Sequence, residues 1–178
     1  MEQVIYLVRH CKATGQDPDC ELTSQGYEQS QQLASFFETI EVDQIITSPY
    51  TRAVQSILPT AEQKNLDIYV HDGLKERDLS NKKLENWMEL LEASFRDLHM
   101  KLSGGESSYE AMQRFLPILE AIKLGRVKST ILVTHGNLMT LMLNHFDRQY
   151  GFEDWKSLSN PDVYKVTIGS GLIERIWQ

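Results

Sequence analysis

The chain has only two cysteines, Cys11 and Cys20. That is too few for a disulfide framework, and no C-x-x-C or Cys/His cluster offers zinc spacing. Runs of Lys or Arg are absent too. Eighteen basic against 25 acidic residues leave a formal charge of −7 on 178 residues, which excludes a basic stripe for nucleic acid. No stretch nears the roughly 20 apolar residues of a membrane span. A secretory leader is not expected either, because the apolar run Val4–Val8 is short and follows no positive charge. Internal repeats and low-complexity segments are missing. These absences imply a soluble, cytoplasmic protein with reduced thiols and neither nucleic acid nor membrane as partner; oligomeric state is not readable.

What is present argues for a packed core. Hydrophobic residues make up 41% of the chain, with aromatics spread along it, which opposes disorder. The length suits one domain over residues 1–178. Val4–Val8 is continuous and β-branched, as in a strand buried on both faces of a parallel sheet. Thr23 is a candidate N-cap for a helix carrying Tyr27, Leu33, Phe37 and Ile40, which Gly26 should weaken locally. Asp43–Thr47 is a second strand. Ser48-Pro49 reads as N-cap and first helical residue of the next helix, expected to kink or end near Pro59. Asp67–Val70 is a third strand. A helix is predicted over 84–100, and Ser107 with Glu110 forms a capping box for another that reaches about Lys123. Thr130–Val133, a helix over Asn137–Phe146, and a hairpin formed by Val163–Ile168 and Leu172–Trp177 complete the pattern. Alternating strands and helices give an α/β, three-layer α/β/α fold. Its central sheet is mostly parallel, with a short helical lid over about 77–106 and a C-terminal antiparallel hairpin.

Ligands of open α/β sheets bind beyond the carboxyl ends of the strands. Arg9-His10-Cys11 follows the first strand, Ser48 to Arg52 the second, and Leu74-Lys75-Glu76 the third. Thr134-His135-Gly136-Asn137 follows the strand Thr130–Val133. Singly, such residues are surface charges or structural histidines. Together they bring two Arg, two His and one Glu to one sheet edge.

Leu7-Val8-Arg9-His10 and a following small residue resemble the R-H-G signature of the histidine phosphatase superfamily, the phosphoglycerate-mutase-like fold. The likeness continues through Leu22-Thr23-Ser24-Gln25-Gly26 and the run Ser48-Pro49-Tyr50-Thr51-Arg52-Ala53-Val54-Gln55. It then takes in Leu74-Lys75-Glu76, Gly104-Gly105-Glu106-Ser107 and Val133-Thr134-His135-Gly136. Order and spacing match across nearly the whole chain. The departures are Cys11 where Gly or Ala is usual, and Lys12 where Glu is common.

The resemblance implies a metal-independent phosphomonoesterase for small phosphorylated metabolites, without a cofactor. Phosphate chemistry suits these residues. A monoester dianion needs positive charge and donors around its non-bridging oxygens. Arg9 and Arg52 would supply forks, a protonated His135 a further donor, and Gly136 a backbone N–H at a helix start. His10 would be the nucleophile, passing through a phosphohistidine. Glu76 would act as general acid and base. Gln16, in the loop after the nucleophile, is a candidate phosphate donor. Two alternatives stand beside this reading: a phosphoglycerate mutase, and a non-catalytic phospholigand-binding protein. The short segment from Cys11 to Leu22 lacks the early Asn of such mutases, which favours the phosphatase.

Overall fold

The computed structural model describes residues 2–177. Six strands form one mixed sheet in the order β3-β2-β4-β1-β5-β6. They are β1 (Val4–Arg9), β2 (Gln44–Thr47), β3 (Ile68–Val70), β4 (Ser129–Thr134), β5 (Asp162–Thr167) and β6 (Leu172–Arg175). The first four run parallel, while β5 and β6 continue the sheet antiparallel beyond β1. Six helices accompany them: α1 (Ser24–Phe37), α2 (Thr51–Lys64), α3 (Trp87–Arg96), α4 (Ser108–Leu124), α5 (Gly136–Phe146) and α6 (Phe152–Ser157). None of these helices is long and apolar enough to cross a membrane.

The alternation along β1 builds the three layers. Successive side chains leave a strand on opposite faces. Ile5 and Leu7 therefore join one core, with α4 and α5, while Tyr6 and Val8 join the other, with α1 and α2. Leu33 and Phe37 of α1 are fully buried, and each such burial contributes about 1.5–3 kcal/mol. The hairpin lies where the sequence places it, with β6 at the sheet edge.

Several local expectations change. Gly26 is not a weak point. A Cβ there would lie 2.1 Å from the Lys12 carbonyl oxygen, so glycine lets α1 abut the loop after β1, and Thr23 caps the helix as expected. Tyr27 is exposed, off the core. The second helix begins at Thr51 rather than Pro49, with Tyr50 as its N-cap. Ser48 lies two residues ahead of that cap; its hydroxyl accepts from the Tyr50 N–H at 3.3 Å and lies 2.7 Å from His135 Nε2. Pro59 neither ends nor breaks α2, since Ala53, Ile57 and Ala61 bury one face on both sides of it. That packing outweighs the roughly 3 kcal/mol an interior proline costs.

The helix over 84–100 shortens to Trp87–Arg96. At its end, the Asp97 carboxylate accepts from the His99 N–H, an Asx turn that competes with helix continuation. Helix α6 was not expected. Its six residues carry no periodic signal, and its start is held by Asp154 accepting from the Gly151 N–H.

Candidate active site

The sheet register assembles the site. In the strand order, β4 separates β2 from β1, which creates the crevice where α/β sheets hold ligands. Arg9 is aligned with Thr134, so the next residues, His10 and His135, emerge side by side. The His10 N–H donates to the Thr134 carbonyl at 3.1 Å, and the two rings lie 5.0 Å apart. Thr47 is aligned with Val133 on the other side, which brings Ser48 level with Thr134, and its hydroxyl reaches His135 Nε2 at 2.7 Å.

The protonation of His10 follows from its partners. Nδ1 lies 2.7 Å from the Cys11 carbonyl, which can only accept, so Nδ1 carries the hydrogen. Nε2 is then the lone-pair nitrogen, and it accepts from Arg52 Nε at 3.3 Å. Burial pushes this histidine down to about 3; the Cys11 hydrogen bond opposes the shift, and Arg52 and Arg9 add to it. The imidazole is therefore neutral at physiological pH, with its basic nitrogen turned toward an arginine.

The hydrogen bonds of both arginines go to neutral groups and to no carboxylate, which leaves their charge for a ligand. Arg52, 1% exposed, donates from Nη1 to the Asp17 carbonyl at 2.8 Å, and its guanidinium lies 4.9 Å from the Tyr50 ring centre. Arg9 donates from Nη1 to the carbonyls of Leu158 (3.0 Å) and Ser159 (3.3 Å). Its Nε is buried without a protein partner, as are His135 Nδ1 and Asn137 Oδ1. Native structures rarely leave buried polar atoms unpaired, and three of them meet at this edge. Gly136 makes room here, because a Cβ on it would stand 3.3 Å from the Arg9 guanidinium.

His135 departs from the expectation of a protonated donor. It is fully buried, and its pKa lies well below the usual imidazole range. Burial is the main cause, and His10, Arg52 and Arg9 add to it. The free site therefore holds it neutral, with Nε2 on the Ser48 hydroxyl.

Glu76 reaches the same edge and caps α5. One carboxylate oxygen accepts from the N–H groups of Arg77 (2.9 Å) and Leu138 (3.0 Å), the other from Asn137 (3.1 Å). Of the first three helix amides, those of Asn137 and Leu138 thus belong to Glu76, and Gly136 is the remaining one.

Gln16 is exposed, and its side chain makes no hydrogen bond to these groups. From that loop it is the neighbouring Asp17 carbonyl that enters, through Arg52. Lys12 turns to Gln25 instead, at 2.9 Å. Cys11 is buried, and burial raises its thiol to about 12, which makes it a packing residue and not a reactive one.

Other contributors escaped the sequence reading. Asn160 Nδ2 donates to the His10 carbonyl at 2.8 Å. Arg114 on α4 forks onto Glu106 at 3.1 and 2.6 Å and donates to the carbonyls of Gly73 (3.0 Å) and Lys75 (3.2 Å), fixing the turn that delivers Glu76. Buried Arg77 donates to the Ser94 and Ser108 hydroxyls, each at 2.8 Å, tying α3 and α4 to the residue beside Glu76. Glu106 stood inside a recognised motif; Arg114 and Asn160 carry no local signal.

Comparisons with known proteins show the family and the fold. The family model for the histidine phosphatase superfamily (branch 1) matches residues 5–173. A Hydrogenobacter thermophilus protein provisionally named phosphoserine phosphatase 2 is 26% identical over 151 residues, covering 76% of this chain and 74% of that protein. A Schizosaccharomyces pombe protein provisionally named a phosphatase is 26% identical over 152 residues, and the match spans 77% of this chain but 54% of its own length. Among solved structures, a mycobacterial glucosyl-3-phosphoglycerate phosphatase with inorganic phosphate superposes with a TM-score of 0.78 at 19% identity, covering 98% of this chain and 96% of that one. An α-ribazole phosphatase from Shigella flexneri gives 0.72 at 15% identity, with 98% and 95% covered. At those identities the structural likeness establishes the fold.

Proposed function

The chain belongs to the histidine phosphatase superfamily, and we propose that within it the protein hydrolyses small phosphate monoesters through a phosphohistidine on His10. One observation carries the reading. His10 presents an unprotonated Nε2 beside Arg52 while its Nδ1–H is fixed on the Cys11 carbonyl.

The proposed cycle has two displacements. Arg9 and Arg52 bind the non-bridging oxygens, with His135 Nδ1 and the Gly136 N–H as further contacts. A bound dianion beside His135 Nδ1 supplies a negative charge that opposes both the burial and the arginine field holding this residue neutral, so in the proposed cycle His135 gains a proton on binding. His10 Nε2 attacks phosphorus as the ester P–O bond breaks, and Glu76 in its acid form protonates the departing alkoxide. Water then attacks the phosphohistidine, Glu76 takes its proton, and the N–P bond breaks to restore His10. Arginine and histidine charge does the neutralising, so the cycle is written without a metal. Residues 77–106 are proposed as the lid over the leaving group, with the whole chain acting as one domain in the cytoplasm.

Small phosphorylated metabolites are the proposed substrates. Phosphoserine is a first candidate, from the name of the 26% identical relative, and the acidic loop residues Asp17, Asp19 and Glu21 would suit an amine on the substrate. The test is phosphate release in EDTA from p-nitrophenyl phosphate, phosphoserine, sugar phosphates and phosphoglycerates. Release that vanishes in His10→Ala supports the reading. Conversion of 3-phosphoglycerate to its 2-isomer, with no phosphate released from any ester, overturns it.

A further inference from the structure

Arg9 and Asp162 face each other across β1 and β5. Opposed residues of an antiparallel pair leave the sheet on the same face, with Cβ atoms about 4.5–5.5 Å apart. A buried carboxylate at that distance is the natural partner for a half-buried guanidinium, and Asp162 is fully buried. Yet the two do not pair. Arg9 holds only the carbonyls of Leu158 and Ser159, and its Nε has no protein partner.

The reason is that Asp162 is fully occupied. Oδ1 accepts from the Val163 N–H (3.0 Å) and Arg175 Nε (3.1 Å). Oδ2 accepts from the Ser159 N–H (2.9 Å) and Arg175 Nη2 (2.6 Å). Two of the four donors thus come from one side chain, the last residue of edge strand β6. Arg175 is itself held by the Ser157 carbonyl at 3.0 Å and lies over the Tyr164 ring at 5.7 Å.

We infer that Arg175 is a positioning residue for phosphate binding: by saturating Asp162 it keeps that carboxylate from capturing the Arg9 guanidinium. The inference rests on the reading of Arg9 as a phosphate ligand. Without Arg175 each oxygen of the fully buried Asp162 loses one donor, and Arg9 Nε, at the facing position of the neighbouring strand, is a buried donor with no partner of its own. A fork–fork pair would then form across β1 and β5, and Arg9 would meet phosphate only after breaking it.

The test is calorimetric titration of the full chain with inorganic phosphate, alongside kcat and KM for p-nitrophenyl phosphate. Arg175→Met should raise the phosphate Kd and KM roughly ten-fold, the loss of one charge-assisted contact, with little change in kcat. Adding Asp162→Asn to Arg175→Met should restore both, because the competing charge is gone. A merely structural role would leave the double variant as weak as the single one. Unchanged Kd in Arg175→Met, or no rescue in the double variant, overturns the inference. Should Arg175→Met fail to fold, Asp162→Asn alone decides: phosphate binding as tight as or tighter than in the natural chain is expected, and weaker binding overturns it. Arg9→Ala separates the two levels. If it leaves phosphate binding intact, the reading of Arg9 fails and the inference with it. If it abolishes binding while Arg175→Met does nothing, the inference alone fails.

Discussion

Arg52 Nε donates to Nε2 of His10 across 3.3 Å. A permanent cation thus stands against the lone pair that would attack phosphorus, and it orients the ring while opposing its protonation. Both effects disappear with the arginine. Arg52→Ala should lower kcat/KM for p-nitrophenyl phosphate by about 10²–10³, the magnitude of losing one preorganised charge-stabilising group. Arg52→Lys should fall between, because it keeps the charge and loses the fork. Steady-state kinetics on the three proteins checks the order.

The buried histidines set a pH dependence of stability. His10 titrates near 3, and His135 lies well below its ordinary value. In the unfolded chain both would take a proton near 6.5. Between those values the unfolded state binds more protons, so stability rises with pH and is lost as pH falls below about 6.5. Each histidine contributes a slope of up to about 1.4 kcal/mol per pH unit. Denaturant unfolding from pH 7 to pH 4.5 should show this slope, reduced in His135→Gln.

Glu76→Gln separates chemistry from capping. As the acid, Glu76 matters most for alkoxide leaving groups that cannot depart unaided. The variant should lose about 10²–10⁴ on an alkyl phosphate and far less on p-nitrophenyl phosphate. Equal losses on both would count against the acid role. Its carboxylate also accepts from the Asn137 and Leu138 amides at the start of α5, so a stability loss of about 1 kcal/mol should accompany the change.

Gly136→Ala should move activity and stability in opposite directions. Alanine in a helix is worth about 0.5–1 kcal/mol over glycine, so the melting temperature should hold or rise. The new Cβ would stand 3.3 Å from the Arg9 guanidinium, so KM should rise several-fold as that fork is displaced. Thermal melts and kinetics on one preparation test both signs.

Much of the fold could be read from the chain because its signals are local. The apolar run Val4–Val8, the Thr23 cap and the Ser107–Glu110 box act within a few residues and survive in the structure. The strand ends that carry Arg9, His10, Glu76 and His135 follow from the α/β alternation. Other features depend on partners far along the chain. Ser48 reads as a helix cap, but the cap falls two residues later and the Ser48 hydroxyl also meets His135, 87 positions away. Asn160 meets the His10 carbonyl across 150 positions, and no spacing rule reaches that far. Neutral His135 was likewise hidden, because its protonation depends on burial among groups contributed by three separate segments.

The central claim is that His10 Nε2 forms a bond to phosphorus. The direct measurement is rapid quenching of the protein with a phosphate monoester, followed by mass mapping of the phosphorylated residue and its lability. A phosphoryl group on His10, labile to acid and stable to alkali, absent from His10→Ala and accumulating in a variant with slowed hydrolysis, is the predicted result. Turnover that persists in His10→Ala, or a phosphoryl group that maps to another side chain, would contradict the account.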